Sequence, residues 1–256
     1  MPPDDVLAAV RAVSVAEVAW RDETGPRVTG VLPLVDAHGP VLALPYAERA
    51  LASSLGASEE VLLAVSEPRG SGRALAPLLL RCTPRLVADP TGERVTAELL
   101  DQELLRWPPS RLRADSVLLR REHWWWLPRL LVELRVGAVE PLAAREPGPG
   151  HLLVVDVAGR LEARIATVHP EPLTVQVHGG DPGDGAAVLH GQDLSFPDLE
   201  RWGRWSWAGR WRDGSLTVTR APQAVGLPPV PGVLARWRAH RDLERACRRA
   251  LRDAGA

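Results

Sequence analysis

Lysine and asparagine are absent from this chain of 256 residues, and isoleucine, phenylalanine, tyrosine and methionine occur once each. Every basic residue other than histidine is therefore arginine, 31 in all. Without a lysine amine no side chain forms a Schiff base with pyridoxal phosphate or a carbonyl substrate, and no P-loop lysine exists. Cysteine is nearly as scarce. Cys82 and Cys247 are far apart and in no CxxC spacing, so neither a disulfide framework nor a thiolate metal site is expected. A surplus of one charge sign is missing too: 31 basic residues face 32 acidic ones. That balance argues against a dedicated nucleic-acid or anionic-membrane partner. No run approaches the apolar length of a membrane span, and Met1 to Asp5 lacks the basic and apolar regions of a secretion signal. A cytoplasmic location is the expectation.

What abounds is Ala, Gly, Pro, Val, Leu and Arg, the mark of GC-rich coding, together with 10 tryptophans. A chain of this length buries a core without disulfides or metal. The first half reads as strands punctuated by turns: Val15 to Trp20, a turn at Asp22 to Gly25, Arg27 to Val35, a turn at Asp36 to Gly39, then Val41 to Leu44. A short helix over Ala47 to Leu55 precedes strands at Val61 to Val65 and Leu78 to Ala88, separated by a breaker at Glu67 to Gly72. Thr96 to Leu105 reads as a helix capped by Thr96 and stopped by Pro108 and Pro109. Leu130 to Val136 alternates as a half-buried strand.

Ala143 to Gly150, rich in Pro and Gly, predicts a linker. The expected division is 1–142, a linker over 143–150, a second β-rich domain over 151–232 and a C-terminal helix over 233–256. Within the second domain, strands are expected near 151–156, 160–168, 173–177 and 186–189, with a hairpin of Trp202 to Trp211 and Leu216 to Thr219. Both halves open on strand, turn, strand, so the second is read as a degenerate half-barrel repeat. Leu234, Trp237, Leu243, Cys247 and Leu251 recur at near-helical spacing in the tail.

The order of elements over residues 13–142 resembles the FMN-binding split-barrel superfamily, which includes pyridoxamine 5'-phosphate oxidase-like proteins. Val18 to Leu34, Val41 to Leu55, Val61 to Val65 and Leu80 to Pro90 carry the resemblance. It implies a mainly β (α+β) fold, a six-stranded Greek-key barrel that dimerises and binds a flavin phosphate near the dimer interface. The family's phosphate-binding basic residues are largely replaced here: the second strand reads Thr29, Gly30, Val31, and the short helix begins Arg49, Ala50, Leu51. Arg49 is the remaining charge for a phosphate, with Ser53 and Ser54 as hydroxyl donors and Tyr46 shaping the pocket.

The run Arg121, His123, Trp124, Trp125, Trp126 supplies the far wall. If it enters a strand, Trp124 and Trp126 share one face and Trp125 takes the other. Indole faces then stack on a ring system while Arg121 and His123 meet its polar groups; the bland alternative is that the tryptophans fill a core or interface. His190 with Asp193 has a metal-ligand spacing but no regular motif around it. Ser195 to Asp198 matches a capping box for a helix at Phe196 or Pro197. Asp101, Glu103 and Arg106 read either as a catalytic acid and clamp or as a solvated helix face. No motif names a catalytic acid or base. The expected function is a flavin-nucleotide-binding protein of split-barrel type, an oxidoreductase on a small conjugated substrate with FMN or a deazaflavin as cofactor. A cofactor-free binding or scaffold protein on the same fold is the first alternative, and a haem-binding relative with His123 as axial ligand is the second.

Overall fold

The computed structural model describes residues 3–67, 76–114, 124–148, 150–170 and 173–255. Seven strands of the first half, β1 (Ala16–Asp22), β2 (Gly25–Val31), β3 (Pro33–Val35), β4 (Pro40–Pro45), β5 (Val61–Val65), β6 (Leu78–Asp89) and β7 (Arg129–Pro141), pair antiparallel. Their order is β2-β1-β5-β6-β7-β4-β3. Because β2 and β3 are one run of chain bent at Leu32, the two ends of this sheet are the same strand. The sheet therefore curls into a six-stranded barrel without an isolated edge.

Strand alternation places Ala16, Val18 and Trp20 of β1 inside the barrel with Leu42, Leu63, Leu80 and Val132. Glu17 and Ala19 point outward. Gly25, at φ +117° in the β1–β2 hairpin, takes a backbone conformation that a side chain disfavours, and Asp22 accepts the Thr24 amide and hydroxyl to fix the turn. Helix α1 (Pro3–Ala12), unforeseen in the sequence reading, buries Val6 and Val10 in the same core. Helix α2 (Arg49–Gly56) follows a single 3₁₀ turn at Tyr46–Glu48 and buries Ala52 and Leu55.

Four local expectations are corrected. Thr96 is not an N-cap: its hydroxyl donates to the Gly92 carbonyl, while the Asp89 carboxylate accepts the Val95 amide at the start of a π turn, Val95–Leu99. The prolines at 108 and 109 end α3 (Leu100–Arg106) but also open α4 (Pro108–Ala114), since proline suits a helix's first turn. The solvated-face reading fails for Glu103, which is buried, accepts the Ser110 hydroxyl and pairs with Arg129. The tryptophan run enters no strand; Trp124–Trp126 form one 3₁₀ turn ahead of β7.

The second half forms β8 (Gly150–Val157), β9 (Arg160–Pro170), β10 (Leu173–His178), β11 (Gly185–Leu194), β12 (Trp202–Arg212) and β13 (Ser215–Arg220). They make a six-stranded antiparallel sheet of order β10-β9-β8-β11-β12-β13. One face carries Leu153, Val155, Leu189, Trp205, Trp207 and Trp211 as a core of its own. The other packs on the barrel, where Ala19, Leu62, Ala64 and Leu79 meet Leu152, Val154, Leu161, Ala163 and Ile165. Ser195 caps no helix: its hydroxyl donates to Asp198 and accepts the Arg201 amide in a turn between β11 and β12. Helix α5 (Val233–Asp253) returns to the first half, with Leu251 in the barrel core and Cys247 against Trp125 and Trp126.

Polar groups stitch the sheets together. Arg81 of β6 donates to Glu60, Glu140, Glu162 and the Leu161 carbonyl. The segment between β7 and β8, expected as a plain linker, buries Arg145, which donates to Glu17, Ser66 and the Gly150 carbonyl. A charge this deep is tolerated because it is paired and hydrogen-bonded.

Candidate functional site

A cleft of about 480 Å³ opens where α2, the β1–β2 hairpin and strands β11, β12 and β13 of the second sheet converge. Such a volume lies within the usual range for small-molecule sites. From the barrel side it is lined by Trp20, Asp22, Arg27, Val28, Thr29, Ala50, Leu51 and Ser54; from the second sheet by Val188, Ser206 and Arg220. Three consecutive β2 residues, Arg27, Val28 and Thr29, take part.

Local structure sets each group. Ala50, Leu51 and Ser54 share one side of α2 through their helical spacing. The Trp20 indole N–H donates to the Ser54 hydroxyl at 2.8 Å, joining strand and helix at the barrel's end. Arg27 lies 3.4 Å from Asp22. Burial acts to raise the Asp22 pKa, but the Thr24 hydrogen bonds and the Arg27 charge outweigh it and hold the carboxyl below its ordinary value. Asp22 thus stays ionised and neutralises Arg27. Arg220 is different: among the described residues no carboxylate lies within ion-pair distance of it. Arg204 adds a further cation nearby, donating to the Thr29 hydroxyl and the Gly30 carbonyl while its guanidinium covers the Trp202 ring at 4.8 Å. The cleft has a net positive charge, hydroxyls from Thr29, Ser54 and Ser206, and an apolar wall from Val28 and Leu51.

Of the seven residues proposed from sequence, the structure brings Ser54 to this cleft. Tyr46 is buried in the barrel core, where desolvation raises its pKa. Arg49 and Ser53 are exposed on α2 outside the cleft's lining. Arg121 and His123 lie outside the described residues, as does the Trp124 side chain. Trp125 and Trp126 pack in a cluster with Cys247, and Arg129 stacks over Trp126 at 4.6 Å. Sequence reasoning missed Trp20, Arg27 and all three second-sheet residues. Arg27 alone among these carries a local signal, as a basic residue on the second strand two positions before Thr29.

Beyond the cleft's lining, alternation along β11 continues from Val188 to His190 and Gln192 on the face toward the barrel. Asp193, whose spacing suggested a metal pair with His190, falls on the opposite face. His190 is 2% exposed, and both its ring nitrogens are buried without a hydrogen-bond partner. Burial, reinforced by the charges of Arg145 and Arg204 and by His151, pushes its pKa down to about 3. The unfolded chain, with a histidine near 6.5, therefore binds a proton that the folded one refuses, and stability rises with pH between those values. Lowering the pH from 7 to 5 is expected to cost about 2 kcal/mol through this residue. Urea unfolding at both pH values measures it, and His190→Leu removes that part of the slope.

No family model matches the chain, and no curated protein matches it. Solved structures similar to it include a putative pyridoxamine 5'-phosphate oxidase from Listeria innocua, 12% identical, covering 55% of this chain and 97% of that one with a TM-score of 0.36. An F420 reductase is 17% identical over 55% of this chain and 97% of its own, with a TM-score of 0.37. The haem storage protein HutZ from Vibrio cholerae is 12% identical over 55% and 95%, with a TM-score of 0.33. The fold is a split barrel. Strands β1 to β7 form it in the order β2-β1-β5-β6-β7-β4-β3, with β2 and β3 closing the circle, and the second sheet packs against its outer face.

Proposed function

We propose that this protein binds a small, planar, phosphate-bearing ligand of the flavin-nucleotide class in the cleft between α2, β2 and the second sheet. The single observation that carries the reading is Arg220, a guanidinium without an ion-pair partner among the described residues, set beside the hydroxyl-bearing residues Ser206, Thr29 and Ser54. Guanidinium and hydroxyl donors suit a phosphate and a polyol chain. Val28, Leu51 and Trp20 offer the apolar surface that a ring system requires. In a bound flavin, hydride chemistry is the cofactor's own. The chain's part is to bind the phosphate through Arg220, orient the ring against α2 and β2, and keep water from it.

FMN titration followed by flavin fluorescence tests this. Wild-type protein is expected to quench FMN saturably, and Arg220→Ala to weaken binding by about 10- to 100-fold, the worth of a charge-assisted hydrogen bond. Arg27→Ala is expected to cost less, because Asp22 already engages that charge. Protein that leaves FMN fluorescence unchanged at any concentration would sink the reading and favour a cofactor-free scaffold. The haem alternative rests on His123, which lies outside the described residues.

A further inference from the structure

His190 is the one imidazole that the fold seals away with neither nitrogen satisfied among the described residues. Leaving a buried polar atom unpaired costs about 1–3 kcal/mol, so such atoms in a native fold ask for an explanation. Arg164 Nε, on the other face of the second sheet, is one such atom among the described residues, and the rest gather around His190. Gln192 Nε2, two residues along the same face of β11, is also without a partner, and so is Nη2 of Arg145, whose charge acts on His190. Gln192 spends its Oε1 on the Trp202 indole N–H at 3.1 Å.

Register ties this row to the cleft. His190 stands directly opposite Ser206 on β12, and cross-strand partners project to the same side with adjacent Cβ atoms. Ser206 lines the cleft, as does Val188, the preceding same-face residue on β11. His190 therefore lies directly behind the cleft's wall, next to Ser206 and Val188, without itself lining it. Burial keeps the imidazole neutral, reinforced by the charges of Arg145 from the β7–β8 segment and Arg204 from β12. A neutral imidazole offers one N–H donor and one nitrogen acceptor. With Gln192 Nε2 and Arg145 Nη2, the row holds three unpartnered donor nitrogens and a single acceptor nitrogen.

We infer that His190 is a specificity-determining residue of the cleft, reading the hydrogen-bonding edge of the ligand's ring by way of Ser206 or one bridging water. The donor-rich row with one acceptor matches a ring edge in which an N–H is flanked by carbonyl oxygens, a cyclic imide. This rests on the ligand-binding reading of the same cleft, and it adds to phosphate recognition by Arg220 at one end a ring-edge contact at the other.

The test compares wild type with His190→Leu, using FMN and its N3-methyl derivative as probes, beside urea unfolding of each protein. Removal of unsatisfied buried nitrogens in favour of an apolar side chain is expected to leave the unfolding midpoint at pH 7 unchanged or higher. Affinity for FMN is nevertheless expected to fall about 10-fold. Wild type is expected to discriminate against N3-methyl FMN by at least the same factor, and His190→Leu to lose most of that discrimination. A packing role moves the first quantity and not the last. His190→Leu that binds FMN as tightly as wild type overturns this inference and leaves the cleft reading standing; a wild type that binds no FMN overturns both. Should the variant fail to fold, equal wild-type affinity for the two flavins still overturns it.

Discussion

Arg145→Met is expected to lower the stability of the folded chain by about 3–5 kcal/mol, the loss typical when one partner of a buried ion pair is removed. The reason is geometric. Glu17 faces outward from β1, is fully buried beneath the second sheet, and has Arg145 as its counter-charge with the Ser66 hydroxyl as a further donor. Without the guanidinium, a carboxylate stays sealed from water, and the Gly150 carbonyl loses a donor as well. The double variant Glu17→Leu, Arg145→Met removes both charges and is expected to recover at least half of that loss, because an apolar pair in place of a buried ion pair is often neutral. Urea unfolding of the two single variants and the double one closes the cycle. Additive losses would mean that Glu17 and Arg145 do not act as a pair.

The second large effect is expected at Trp125. This indole is 0% exposed and packs with Trp126, Leu243 and Cys247, beside the His240 ring at a centroid distance of 5.4 Å. Truncating a buried tryptophan to alanine costs about 3–5 kcal/mol, and here the loss falls on one of the contacts that hold α5 to the barrel, Leu251 in the barrel core being another. Trp125→Ala is expected to unfold at correspondingly lower urea and to make α5 more sensitive to proteolysis than the barrel. FMN affinity, measured where the variant remains folded, is expected to stay near wild type, since Trp125 is absent from the cleft's lining. Loss of flavin binding with the fold intact would return the tryptophan run to the role first suggested by its sequence.

The strands were legible because alternation and turn chemistry are local. β5 ends where its apolar run ends, and the Asp22 and Asp36 turns are fixed by side chains two or three residues from the amides they accept. The C-terminal helix was legible for the same reason, since Leu243, Cys247 and Leu251 repeat at four-residue spacing. The tryptophan run misled because three like residues fit alternation in any register. Pro128 follows them, and it disfavours helical backbone at Leu127, so the single turn ends there and β7 begins at Arg129. The cleft was almost illegible. Trp20, Ser54 and Arg220 meet only after the barrel has closed and the second sheet has docked on it, and no local pattern encodes that docking. The spacing of His190 to Asp193 is local, whereas its place opposite Ser206 is a long-range pairing set by the second sheet.

A crystal structure of the protein grown with FMN tests the central claim most directly. The account predicts density in the cleft with the phosphate within hydrogen-bonding distance of Arg220, and the ring lying between Leu51 of α2 and Val28 of β2 with its imide edge toward Ser206 and His190. FMN bound elsewhere, for example beside the Trp124–Trp126 turn, or a cleft that stays empty at saturating FMN, would contradict it.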